Sequence, residues 1–376
     1  KDSNFTDMGF TTDISLNDVI FGGEKKLRDA IEYIFEHYAP KGIFIYTTCV
    51  TAMIGDDVDF LCKEYSAKYQ IPIISINAPG FSGSKNLGSR VGVDDVLSNI
   101  IGTKEIENLN GNEINLIGEY NVTGDMWQYS ELLKEIGINI LSTISGDGRI
   151  ESVASAHQAR LNVLVCAKSL ISIARKMEER YGIPYVSVSF YGKRDTTNAI
   201  MTIANALGKS EIINKAREVC AREELKLESK LQEFKSKLNG KKALLNTGGN
   251  KAWSIASALQ DIGLDVVGTS INKCTEDDIA KCKEVLGVEG ILMKAPSIEQ
   301  PKVINEKKVD ILLAGGRSLY TAIKKGISFV DVNQEKKKSY GGYEGLLNFA
   351  QDVCDALENK VFANVGVKAP WERNLA

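Results

Sequence analysis

Strand-length apolar runs alternate with helical periodicity almost throughout the chain. The runs lie at 42–48, 71–77, 114–119, 138–144, 161–166, 184–190, 242–247, 264–270, 290–294, 309–314 and 328–332. Short runs rich in β-branched residues suit strands buried on both faces, and strands separated by helices specify parallel layers rather than hairpins. The predicted class is α/β with Rossmann-like parallel sheets. Each such strand delivers a loop to its carboxyl edge, where α/β proteins hold their ligands.

A chain of 376 residues accommodates two or three domains. The segment 210–239 stands apart. It is charged, free of Gly and Pro until Asn239-Gly240, and carries Leu227, Leu231, Phe234 and Leu238 at helical spacing. It reads as a helix connecting two domains, with a solvated charged face and a C-cap at its end. A second break falls near Asn108–Asn115. The expected domains are 1–110, 111–239 and 240–355, with the tail 356–376 packing back on the first.

Composition narrows the partners. A formal net charge of -3 leaves no basic footprint for nucleic acid, and no apolar run approaches a membrane span. Seven widely spaced cysteines without a CxxC argue for a reducing cytoplasm and against a disulfide framework. Two histidines, His37 and His157, are too few for a His-rich metal site.

Several strand ends carry chemistry. Cys49 follows the run IFIYTT directly, so a thiolate-capable side chain sits at a strand's carboxyl edge; thiolates build iron and zinc sites, although a cysteine is more often a small buried hydrophobe. Asn246-Thr-Gly-Gly-Asn-Lys251 and Ala314-Gly-Gly-Arg317 each join a strand to a helix. Glycines there let backbone N–H groups reach an anion, or serve only the dihedrals of a tight turn. Gly22-Gly-Glu-Lys-Lys26 lacks the spacing of a phosphate loop.

The segments DVIFGGEKKL (18–27), TTCVTAMIGDDVD (47–59), NAPGFSGSKNLG (77–88), INLIGEYNVTGDMWQ (114–128), ISGDGR (144–149), VASAHQAR (153–160), ARKMEERYGIP (174–184), NTGGNKAWSIASALQDIG (246–263) and DVNQE…YGGYEG (331–345) occur in this order. Together they resemble the nitrogenase component 1 superfamily, and within it the scaffold subunits that mature the iron–molybdenum cofactor. The resemblance spans nearly the whole chain. It implies three α/β domains around a central metallocluster cleft, and a heterotetramer with a NifN-type sister subunit. It also implies encounters with cofactor donor and acceptor proteins and with the nitrogenase reductase, in the cytoplasm.

The same resemblance assigns residues. Cys49 matches one of three cysteines that, with three from the partner, clasp an iron–sulfur cluster at the subunit interface. The other two normally precede the FGGEKKL segment, no cysteine precedes Cys49 here, and the expectation is a truncated chain whose interface site is incomplete. Cys166, in LNVLVCAKSL, matches the cysteine that tethers one terminal iron of the cofactor precursor cluster. Gly248 and Gly249 would offer N–H groups to cluster sulfides, and Lys251 stands where the catalytic subunit has an arginine. Asn333 lies near the position of a molybdenum-binding histidine. Lys85 lies in a loop that in the catalytic subunit carries a glutamine and a histidine; here Ser89-Arg90 follow and no histidine does. An amide binds metal more weakly than imidazole and does not titrate, which suits holding and releasing a cluster. Without the cluster, the loops 82–90 and 333–342 are expected to be loose. The alternatives are a catalytic component 1 α-type reductase subunit, or a metal-free α/β sugar-nucleotide transferase or binding protein, since the architecture serves all of these.

Overall fold

Every one of those apolar runs overlaps a strand, and the strands sort into three sheets. β1 (Ile43–Tyr46) and β2 (Ile73–Ile76) pair with each other. β3 (Glu113–Ile117), β4 (Asn139–Ile144), β5 (Leu161–Leu164) and β6 (Tyr185–Ser187) form a second sheet in the order β4-β3-β5-β6. β7 (Lys242–Asn246), β8 (Asp265–Ser270), β9 (Ile291–Met293), β10 (Ile311–Ala314) and β11 (Ser328–Asp331) form a third, ordered β11-β10-β7-β8-β9. All neighbouring strands pair parallel. The computed structural model describes residues 9–83, 85–165, 167–365 and 367, with backbone only at 85, 86, 89, 167–169 and 363. Among the described residues no helix is long and apolar enough to cross a membrane.

Strand order locates the sites where loops diverge. In the second sheet the chain winds from β3 outward to β4, then crosses to β5 on the other side. In the third it winds from β7 to β8 and β9, then crosses to β10. Crevices therefore open at the carboxyl ends of β3/β5 and of β7/β10, the topological switch points. The registers Ile114↔Leu161 and Ile117↔Leu164, and Ile311↔Ala243 and Ala314↔Asn246, bring each strand pair to the crevice level with one another.

The second and third sheets share one core. Ile114, Leu116 and Val163 belong to the same buried cluster as Leu245, Ile311 and Leu313, joined through Ile200, Ile203, Val219 and Leu227. Burying each such side chain stabilises the fold by about 1.5–3 kcal/mol. The helix Ser210–Leu238, which runs in sequence from the second sheet to the third, is part of this core. It buries Ile212, Ala216, Val219, Cys220, Leu227, Leu231 and Leu238 on one stripe and packs against the helix Gly342–Glu358. A helix with that much apolar surface gains more from lying in the core than from spanning solvent. Its other face is charged as expected; Arg222 holds Glu135 through two hydrogen bonds of 2.6 and 2.8 Å. The described start of the tail lies beside the third sheet's layer, with the Phe362 carbonyl 3.5 Å from the place of a Cβ on Gly326. Residues 366 and 368–376, on which the expected return to the first domain depends, lie outside the described residues.

Asp195, in the first turn of the helix Lys193–Leu207, is buried, and burial pushes its carboxyl up to about 6, against the opposing pull of Ser257 and Arg194. A carboxyl whose folded pKa exceeds its unfolded value adds stability below about pH 4, and that stability is lost as pH rises through about 6. Asp195→Asn is therefore expected to gain about 3 kcal/mol over the parent at pH 7.5 and to lose most of that advantage at pH 4. Urea unfolding at the two pH values checks this, and a larger advantage at pH 4 than at pH 7.5 would contradict it.

Candidate functional site

The two crevices face each other. Asn250, directly after the two glycines of the 246–251 loop, donates its amide to the carbonyl of Val165 at the end of β5 and, at 3.4 Å, to that of Val188 beyond β6. The side chain is buried and makes no cap for its own helix. It works instead as a tie between the carboxyl edges of the two sheets. A buried amide with its donors satisfied holds such an approach in one geometry.

Around this tie several of the predicted residues converge. Gly249 has φ +63°, and a Cβ on Gly248 would lie 2.5 Å from the Cβ of Lys273. Backbone and space both demand glycine there. Lys251 opens the helix Lys251–Asp261 and donates to the carbonyl of Val332 at 3.2 Å, with its ammonium 5.2 Å from the centre of the Tyr191 ring. Asn333 accepts from the Thr247 hydroxyl at 3.3 Å, and its amide nitrogen lies 2.7 Å from where Gly315 would carry a Cβ. Gly248, Gly249, Lys251 and Asn333 thus meet at the β7/β10 switch point. Val165 brings the chain to the same place one residue before Cys166. Cys166 itself and Ser84 lie outside the described residues. Lys85 begins the helix Lys85–Asn99, so residues 85–90, expected as a loose loop, are its first turns; the side chain of Lys85 is not described.

Beneath the cleft lies a buried polar cluster that sequence reading missed. Asp125, the first residue of the helix Asp125–Ile136, accepts from Lys336 Nζ at 2.5 Å, from the Ser339 hydroxyl at 3.2 Å and from the Tyr340 and Gly341 N–H groups at 2.7 and 3.1 Å, all on one oxygen. Its other oxygen accepts from the Tyr191 hydroxyl at 2.9 Å. The Lys336 side chain is 0% exposed. Burial pulls its ammonium below the usual lysine range, and Asp125 counteracts that pull. Glu119 accepts from the Tyr129 hydroxyl at 2.7 Å, and burial pushes its carboxyl up. The segment 333–342, expected to be loose, is strapped to the second sheet through these bonds. Nothing in the composition of the run Lys336-Lys337-Lys338 marks the first lysine as buried.

Cys49 lies elsewhere, at the start of the helix Cys49–Ile54, and is exposed. The other five described cysteines are buried, the ordinary fate of the residue. Its own helix and its neighbours expose large apolar side chains: Leu16, Ile20, Phe21 and Met53 are 71–85% exposed, with Val50, Phe60 and Phe81 also uncovered. The helix Leu16–Phe21 buries none of its residues and packs against the Cys49 helix. An apolar surface of this kind marks an interaction site rather than a finished monomer surface.

The comparisons with known proteins agree with this architecture. A nitrogenase iron–molybdenum cofactor biosynthesis protein NifE from Rippkaea orientalis is 46% identical over 366 residues, covering 97% of this chain and 78% of that protein. The NifE protein of Nostoc sp. is 46% identical over 369 residues, 98% of this chain and 77% of its own. A solved structure described as nitrogenase Cp1 at pH 5 superposes with a TM-score of 0.88 at 27% identity, over 98% of this chain and 80% of that one. The sequence profile of the family described as nitrogenase component 1 type oxidoreductase matches residues 2–358. The chain therefore belongs to the nitrogenase component 1 family and, within it, is similar to the NifE proteins.

Proposed function

We propose that this chain is a scaffold subunit for maturation of the nitrogenase iron–molybdenum cofactor, working with a NifN-type partner in a heterotetramer. Its cargo is an iron–sulfur precursor cluster. The observation that carries the reading is the meeting of two switch-point crevices at the Asn250 tie, with Lys251, Asn333 and the glycine loop on one side and the approach to Cys166 on the other. Cys166 anchors one iron through its thiolate, Gly248 offers its N–H group to the sulfides while the Gly249 N–H, already donated to the Lys273 carbonyl at 3.2 Å, serves the loop's own turn, and Lys85 and Lys251 attract the cluster's negative charge. Asn333 is already engaged by Thr247 and is at most a weak ligand. One firm anchor holds a cluster without enclosing it, which suits transfer between donor and acceptor proteins and a visit from the nitrogenase reductase.

A second, resident iron–sulfur cluster would bind at Cys49. The donor set fits one ligand of a shared site: an exposed thiol amid uncovered apolar residues, where a NifN-type partner would supply cysteines and cover the surface. The three sheets would fall one in each of the proposed domains 1–110, 111–239 and 240–355, the second and third domains sharing a buried core.

Iron analysis and visible absorption of the full-length protein, co-expressed with its partner and purified without oxygen, test the reading. Bound iron with brown absorbance is expected, together with acetylene reduction far below that of a catalytic component 1 when the reductase is added. Colourless, iron-free protein would overturn it in favour of a metal-free binding protein.

A further inference from the structure

We infer that Asp125 is a positioning residue that sets both walls of the cleft, Lys251 through Tyr191 and Asn333 through Lys336. The inference rests on the proposed cluster-binding reading for its purpose and on the hydrogen-bond network for its geometry.

Asp125 gathers three segments far apart in sequence: its own helix, the Tyr191 turn beyond β6, and the strap 336–341. Tyr191 and Gly341 also form an isolated backbone bridge, and the Gly342 N–H donates to the Phe190 carbonyl at 2.8 Å. The path to Lys251 is short. The Tyr191 hydroxyl is fixed by Asp125, and the face of the same ring lies under the Lys251 ammonium. The path to Asn333 is stiff. Asp331 accepts from the N–H groups of Asn333 and Glu335 at 2.7 and 3.2 Å, which closes the turn that enters the strap. A displacement at Lys336 is therefore passed to Asn333 rather than absorbed between them. Lys251 closes the circuit by bonding the Val332 carbonyl, the residue before Asn333.

A buried ion pair is not needed for stability, because neutral residues of similar shape commonly do as well. What a many-donor carboxylate adds is one geometry: each of its five donors arrives from a fixed direction. Groups that orient a metal's ligands, without touching the metal, govern affinity by about 10–100-fold; Lys251 acts as an attracting charge and Asn333 as at most a weak ligand, so the low end of that range applies here.

Two variants separate positioning from bulk stability, each made in the full-length protein with its partner. Tyr191→Phe deletes only the hydroxyl and keeps the ring beneath Lys251. Asp125→Asn with Lys336→Met replaces the pair by uncharged near-isosteres. Hydrogen exchange of peptides covering 332–341 is read in cluster-free protein, so this readout does not depend on the cluster. Iron retained after chelator treatment is read in loaded protein. The double variant is expected to exchange at least about tenfold faster in 332–341, with strands β7 and β10 unchanged, and to lose iron about tenfold more readily. Tyr191→Phe is expected to do both to a smaller degree. Parental exchange in both variants would overturn the inference, and so would faster exchange with parental iron retention. If the double variant does not fold, Tyr191→Phe decides alone, on the same criteria. Parental iron retention in Lys251→Met together with Asn333→Ala would also overturn the inference, because the positioned residues would then not serve the cluster, whereas iron-free parent protein would instead remove the cluster-binding reading, whatever the exchange shows.

Discussion

Cys166→Ala is expected to leave a folded protein that no longer retains iron after anaerobic purification with its partner. Loss of a group that merely orients a ligand lowers metal affinity by about 10–100-fold, and loss of the only firm anchor costs at least that much. The fold tolerates the change because the strand before it is held by its own packing. Leu161, Val163 and Leu164 are buried, and the Val165 carbonyl is held by Asn250. Asn333→Ala is expected to reduce retention far less, since its amide oxygen already accepts from Thr247. Iron per protomer, measured beside a far-ultraviolet dichroism spectrum, distinguishes the two variants. Parental iron in Cys166→Ala would remove the anchor and the main residue-level support for a cofactor scaffold.

Asp125→Ala is expected to produce the largest loss of stability of any single substitution considered, about 3–5 kcal/mol. It leaves Lys336 charged or forced neutral in a site with 0% exposure, and strands the Tyr340 and Gly341 N–H groups and the Tyr191 hydroxyl. Breaking one half of a buried pair costs far more than the pair contributes, because the surviving charge has no water to return to. Chemical unfolding of the variant against Asp125→Asn with Lys336→Met checks the cause. The double variant is expected to recover most of the loss, and equal loss in both would show that charge burial is not the reason.

How much of this was legible in the chain divides along physical lines. All the strands could be read, because their residues are mostly apolar or β-branched and a parallel neighbour must be reached through a helix; this held even for β1, whose residues are half-buried or exposed. The 246–251 loop could be read as a candidate ligand loop, because its glycines stand at a strand–helix junction whatever the distant structure does. The 210–238 helix was recognisable as a helix but not as a core member. Its stripe of Leu227, Leu231 and Leu238 shows that one face is apolar, not which surface covers it.

Periodicity alone determined the α/β class, the positions of the strands and the loops that reach the carboxyl edges, since these depend on residues within a few positions of one another. Motif order added the family. Tertiary structure alone decided that the β3/β5 and β7/β10 crevices face each other across Asn250, that Cys49 is uncovered while the other described cysteines are buried, and that Lys336 leaves its basic run to meet Asp125. Those outcomes depend on pairings between residues up to 211 positions apart. Lys336 and Lys337 are the same residue type in adjacent places, yet one is buried on a carboxylate and the other exposed. Nothing local distinguishes them; the difference is the carboxylate that the fold brings to one and not to the other.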